Sequence, residues 1–145
     1  MGTYNCTIRT NYFRVKDEEM FRKLMDRVYG TSEVVLFERE SENHTKFFGF
    51  GCYGELSGLA LSKDEEDPDC EESSYEEFLS RLSQHVAEDD AVIIMEAGAE
   101  KMNYVVGSTT IITTNDIQYI DMTNAAIEKA KDMLGNPSWD TKCDY

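Results

Sequence analysis

Histidine and cysteine are where catalysis or metal binding usually begins, and this chain has two of the first and four of the second. His44 falls in a polar stretch and His85 on the polar side of a helical pattern. Neither stands at a spacing that would make it the base of a serine or cysteine nucleophile. Cys6, Cys52, Cys70 and Cys143 are far apart, without the close pairing a zinc site requires. Gly49, Gly51 and Gly54 match the letters of a dinucleotide fingerprint, but no helical pattern follows to receive a phosphate at its N-terminus. The sequence gives no cofactor and no catalytic motif.

Carboxylates are a different matter. Asp64, Glu65, Glu66, Asp67, Asp69, Glu71, Glu72, Glu76 and Glu77 place nine acids in residues 64–77, with no base among them. Twenty acids and 14 bases remain elsewhere, so most of the net charge of −15 is concentrated there. Three readings compete for this run. It can be a solvated loop, as runs of like charge often are. It can be a docking surface that imitates the phosphates of nucleic acid to a basic partner. As a calcium loop starting at Asp67 it fails, because Glu72 and Phe78 occupy the positions that need Gly and Glu.

Arg9 and Glu96 form a second candidate. Arg9 lies on the polar side of an alternating segment, and Glu96 interrupts the apolar run 91–95. If their strands are neighbours, the two could pair across a sheet, or line a small-ligand pocket with Lys101 and Tyr104.

The elements that must position these groups follow from periodicity. Residues 4–15 alternate as a half-buried strand with Tyr4, Cys6, Ile8, Thr10 and Tyr12 on one side. Phe13 and Val15 are out of phase, which a bulge or strand end near Tyr12 would explain. Asp17 caps a helix whose stripe is Met20, Phe21, Leu24, Met25 and Val28, with Gly30 as its stop. Strands are predicted at 34–39 and 45–53, then a long connection over 55–73 without periodicity. Ser73 or Ser74 caps a second helix through Val86. Strands at 91–97, 102–114 and 117–120 follow, with turns around Gly98 and at Asn115 and Asp116. A last helix, 123–134, is capped by Asp121 or Thr123 and ends at Gly135. Residues 138–145 form a polar tail.

The order β-α-β-β-α-β-β-β-α predicts one α+β domain over 1–145. It would be an antiparallel sheet with helices on one face, ferredoxin-like in character. No run approaches the roughly 20 apolar residues of a membrane span, and no signal core opens the chain. A reducing cytoplasm with free thiols is the expected compartment. An acidic surface of this strength repels nucleic acid and anionic lipid and attracts basic proteins.

Two blocks carry a resemblance: Arg9-Thr-Asn-Tyr-Phe-Arg-Val-Lys-Asp17 with the following Glu-Glu-Met-Phe21, and Ala91-Val-Ile-Ile-Met-Glu-Ala-Gly-Ala-Glu-Lys-Met-Asn-Tyr104. Together they cover about a fifth of the chain. They resemble a group of small acidic proteins of bacterial phages and other mobile elements. That resemblance implies the category of anti-defence proteins, such as anti-CRISPR and anti-restriction inhibitors. The expected function is an acidic protein-binding inhibitor that occupies the basic surface of a bacterial nucleic-acid-handling or defence complex. The alternative is a small-molecule-binding protein or enzyme using the polar face around Arg9 and Glu96.

Overall fold

A computed structural model describes residues 4–61, 72–102 and 104–141. Its elements are β1 (Asn5–Thr10), α1 (Glu18–Met25), β2 (Val28–Gly30), β3 (Val34–Glu40), β4 (Lys46–Cys52), β5 (Leu56–Leu59), β6 (Ser73–Ser74), α2 (Tyr75–His85), β7 (Val92–Glu100), β8 (Tyr104–Ile112), β9 (Ile117–Asp121) and α3 (Met122–Leu134). Six strands form one antiparallel sheet in the order β3-β4-β1-β7-β8-β9. The other three make a small sheet, β2-β5-β6. The α+β class and the six expected strands are present.

The phase slip in the first strand has a specific cause. Ile8 pairs with Cys52 and Arg9 with Gly51, but the next backbone pairing with β4 is Phe13 with Phe48. One extra residue has entered the β1 side, a bulge. It turns Phe13 inward, where it is fully buried with its ring edge-on to Phe21 at 5.7 Å and Phe50 at 6.3 Å. Across the bulge, side chains replace main chain in the ladders. The Phe50 amide donates to Thr10 Oγ1 at 2.9 Å. On the other flank the Ile93 amide donates to Asn11 Oδ1 at 2.8 Å, and Asn11 Nδ2 donates to the Ala91 carbonyl at 3.0 Å.

Asp17 caps α1 as expected, accepting from the Met20 amide at 3.1 Å. The helix ends at Met25, short of the predicted stop. Val28 and Tyr29, a β-branched and an aromatic residue, instead pair with Leu59 and Gly58 of β5. Part of the connection expected to be structureless is therefore strand, at Leu56–Leu59 and Ser73–Ser74. The first hairpin turn is also displaced. Gly98 lies inside β7, and the chain turns after Glu100, with Lys101 at φ 49°. In the next hairpin, Thr113 and Asp116 close the turn around Thr114 and Asn115, one residue earlier than expected.

Phe21, Leu24 and Met25 of α1 and Phe78, Leu79 and Leu82 of α2 join Ile8, Phe48, Phe50, Ile94 and Ile112 in one core. The alternation of these strand residues places all of them on one side of the sheet. The third helix is different. Asp121 caps it and Gly135, at φ 61°, ends it, yet it buries none of its residues. Its first residue, Met122, lies against Gly107, on the opposite side from the core. The expectation that every helix shares one face fails for α3.

Thr10 is 2% exposed and carries the handover of the β4 ladder. Thr10→Val keeps its shape but leaves the Phe50 amide buried without an acceptor. Denaturant unfolding is expected to show a loss of about 1–3 kcal/mol, and a change within error would exclude this role.

Candidate functional site

Of the nine acids in the candidate run, Asp64, Glu65, Glu66, Asp67, Asp69 and Glu71 lie outside the described residues. Glu72, Glu76 and Glu77 are described, and all three are exposed where α2 begins. Ser74 caps that helix by accepting from the Glu77 amide at 3.2 Å. Glu76 and Glu77 thus sit in the first turn, where negative charge complements the exposed amides. Glu77 is also bound to Arg81 at 3.2 Å, an i,i+4 pair within the helix. The helix accounts for Glu77 without a partner protein.

β1 and β7 are direct neighbours, as a pair between Arg9 and Glu96 would require. The register then separates the two residues. Arg9 stands opposite Met95, and Glu96 opposite Ile8. Successive side chains alternate across a sheet, so Glu96 is on the core side and Arg9 on the other. The cross-sheet ion pair does not form, nor do they share a pocket. Lys101 lies beyond the end of β7, and the side chain of Tyr104 is outside the described set. Arg9 instead stacks on Phe37, its guanidinium carbon 3.8 Å from the ring centroid. Beneath them is Gly51, where a Cβ would crowd the Ile8 carbonyl at 2.9 Å and come into ordinary contact with the Phe37 ring and the Arg9 stem. Arg39 covers the Tyr12 ring from 5.2 Å.

Glu96 has its own surroundings, which the periodicity did not suggest. The Tyr4 hydroxyl donates to Glu96 Oε2 at 2.8 Å. To reach it, Tyr4 passes over Gly98, where an added Cβ would lie 2.8 Å from that hydroxyl and closer still to the Asn5 carbonyl. Burial and then the Glu96 charge push the phenol of Tyr4 well above its usual range. Burial first, then Glu96 and Glu55, raise the Cys6 thiol. Burial followed by Glu96 pushes Tyr75 up to about 12, against a lowering by the Thr110 hydroxyl. Tyr4 and Cys6 also border a shallow cleft of about 280 Å³ with Thr31, Tyr53 and Glu55. Every acid near Cys6 holds it protonated, the reverse of what a nucleophilic thiol needs.

The histidines are far from this group in character. His44 is exposed at φ 63° and 3.3 Å from Glu40. His85 is half-buried at the end of α2, contrary to the exposed position expected for it. Burial pushes its imidazole below the ordinary value, Asp17 opposing and Lys16 assisting. Among the described residues, no cluster of three or more His, Cys, Asp or Glu could hold a metal ion. No described helix is long and apolar enough to cross a membrane.

Comparison with protein-family models, curated proteins and solved structures finds no match to this chain.

Two measurements check these assignments. Native Cys6 should alkylate far more slowly at pH 8 than a free cysteine, followed by peptide-resolved mass spectrometry. Glu96→Gln should accelerate it, and an unchanged rate would remove Glu96 from the account. For His85, a depressed folded value means that the unfolded chain binds the extra proton. The corresponding stability is complete above about pH 6.5 and declines as pH falls toward the folded value. Denaturation midpoints should fall over that interval, and His85→Gln should flatten this part of the decline.

Proposed function

We propose that this protein is an acidic protein-binding inhibitor that engages the basic surface of a bacterial nucleic-acid-handling or defence complex in the cytoplasm. The observation that carries this reading is the sorting of charge by the sheet. Glu38, Glu40, Glu96, Glu100 and Asp121 are all of the carboxylates within the six strands of the main sheet. The register puts each of them on the side that α1 and α2 cover. The same side includes the start of α2, where Glu72 and Glu76 are exposed next to the acid-rich run. The strand carboxylates are thus gathered on one aspect of the molecule, where Glu38 is paired with Arg22 and Lys46, and such one-sided sorting favours imitation of a phosphate array. The small-ligand alternative rests on one polar face around Arg9 and Glu96, and these two residues lie on opposite sides of the sheet, which favours the inhibitor.

A ferredoxin-like relationship also belongs to this proposal. Its support is the order β3-β4-β1-β7, with α1 between β1 and β3 and α2 between β4 and β7 in sequence. That pattern is two interlocked split β-α-β units, to which β8, β9 and α3 are additions.

Affinity purification from a bacterial host tests the function. The wild-type protein should retain a basic nucleic-acid-binding complex and release it as salt shortens the screening length from about 10 Å at 0.1 M to about 3 Å at 1 M. Replacing Asp64, Glu65, Glu66 and Asp67 with Asn and Gln should slow association with that complex at least about tenfold at low salt. If affinity and salt dependence both survive the replacement, residues 64–67 are not the docking surface.

A further inference from the structure

On the side of the main sheet turned away from the core, α3 lies beside β8 and β9, and the rest is open among the described residues. One row crosses all six strands through Val35, Gly51, Arg9, Met95, Thr109 and Ile120. Every described side chain that the register places on this face is at least partly exposed, including Met95 at 45% and Ile120 at 49%. Phe37, Ile93, Ala97 and Ile111 continue the apolar surface on the neighbouring rows. An apolar sheet face of this extent is rare on a protein that stays monomeric.

We propose that a second copy of this chain covers this face, the two sheets packing against each other about a two-fold axis. Charge selects that occupant. A chain of net charge −15 repels its own copy, and closes on it most readily across a surface without net negative charge. The alternation of the strands supplies one. Its strand positions include no Asp or Glu and carry Arg9 and Arg39, while the adjoining α3 balances Glu128 and Asp132 with Lys129 and Lys131. Both guanidinium groups lie over aromatic rings, and such planar, weakly hydrated cations are the least costly to bury.

Area and symmetry agree with this. Six strands about 4.8 Å apart, five residues of each at about 3.4 Å, span on the order of 500 Å² in projection. Side-chain relief and the neighbouring helix add to that, approaching the roughly 800 Å² per partner of a standard interface. A two-fold axis parallel to the central strands sets the β8–β9 side of each copy against the β3–β4 side of the other. There α3, with Met133 79% and Leu134 59% exposed, meets the exposed Val35 and the Phe37 ring on which Arg9 stacks. The contact leaves both acid-bearing sides facing outward, and it does not depend on the proposed function.

Sedimentation equilibrium of the full chain tests it. At about 100 µM, above the Kd expected of an interface of this size, the mass should be twice the 16.6 kDa of one chain. Association should tighten as NaCl rises and screens the repulsion, opposite in sign to docking on a basic partner. Ala97→Glu and Ile120→Glu, both at exposed positions, should each weaken the dimer at least about tenfold while circular dichroism and melting stay native. Met20→Glu, at an exposed position on α1, should leave it intact. A wild-type monomer at every concentration and salt would overturn the proposal and leave the face to a different protein. A dimer untouched by both open-face variants would overturn it as well.

Discussion

The strict alternation of side chains along β1 and β7 is the constraint on which the rest of this structure depends. These two strands form the centre of the main sheet, paired from Asn5–Ala99 to Thr10–Ile94. Their shared phase decides which residues enter the core and which meet solvent, and every other strand inherits it through the ladders. A single slip of register would exchange the two faces completely. The side chains of Thr10 and Asn11 let β1 end its regular pairing without losing buried hydrogen bonds, so the phase can change for Phe13 and nowhere earlier.

The same alternation sorts chemistry. On one side it gathers the phenylalanines, the helices and the strand carboxylates, and on the other an apolar surface with two stacked arginines. Near Glu96 the gathering places two tyrosines and a thiol around one negative charge, and each is held in its protonated form. Among the described residues this group includes no paired base that would activate Cys6.

The main strands and the cap at Asp17 were legible because local rules govern them, and the same rules narrowed the other caps to Ser73 or Ser74 and to Asp121 or Thr123, and the phase slip to a bulge or a strand end. Alternation and a short polar side chain before a helix act within a few residues. The small sheet was not legible. β2 has three residues and β6 two, and such pieces become strands only because β5 pairs with them. Glycine so often marks a turn that Gly98 reads as one, whereas it lies inside β7, where the Asn5 carbonyl, Cys6 and the Tyr4 hydroxyl all come close. Arg9 and Glu96 could both be assigned to strands, but that those strands are neighbours emerges only from the sheet. Whether they meet depends on the parity of their register, which a single sequence does not fix. The acid run was plain from composition alone, while the carboxylate-free strand face becomes visible only when six strands are aligned.

Sorting charge across a sheet also gives the molecule an orientation. Its two sides differ in sign as well as in polarity, so the whole body carries an electric moment roughly normal to the strands. In the field of a basic surface that moment feels a torque. The molecule would turn during its approach, presenting the acid-bearing side before any side chain touches, so fewer encounters would be lost to misdirected collisions.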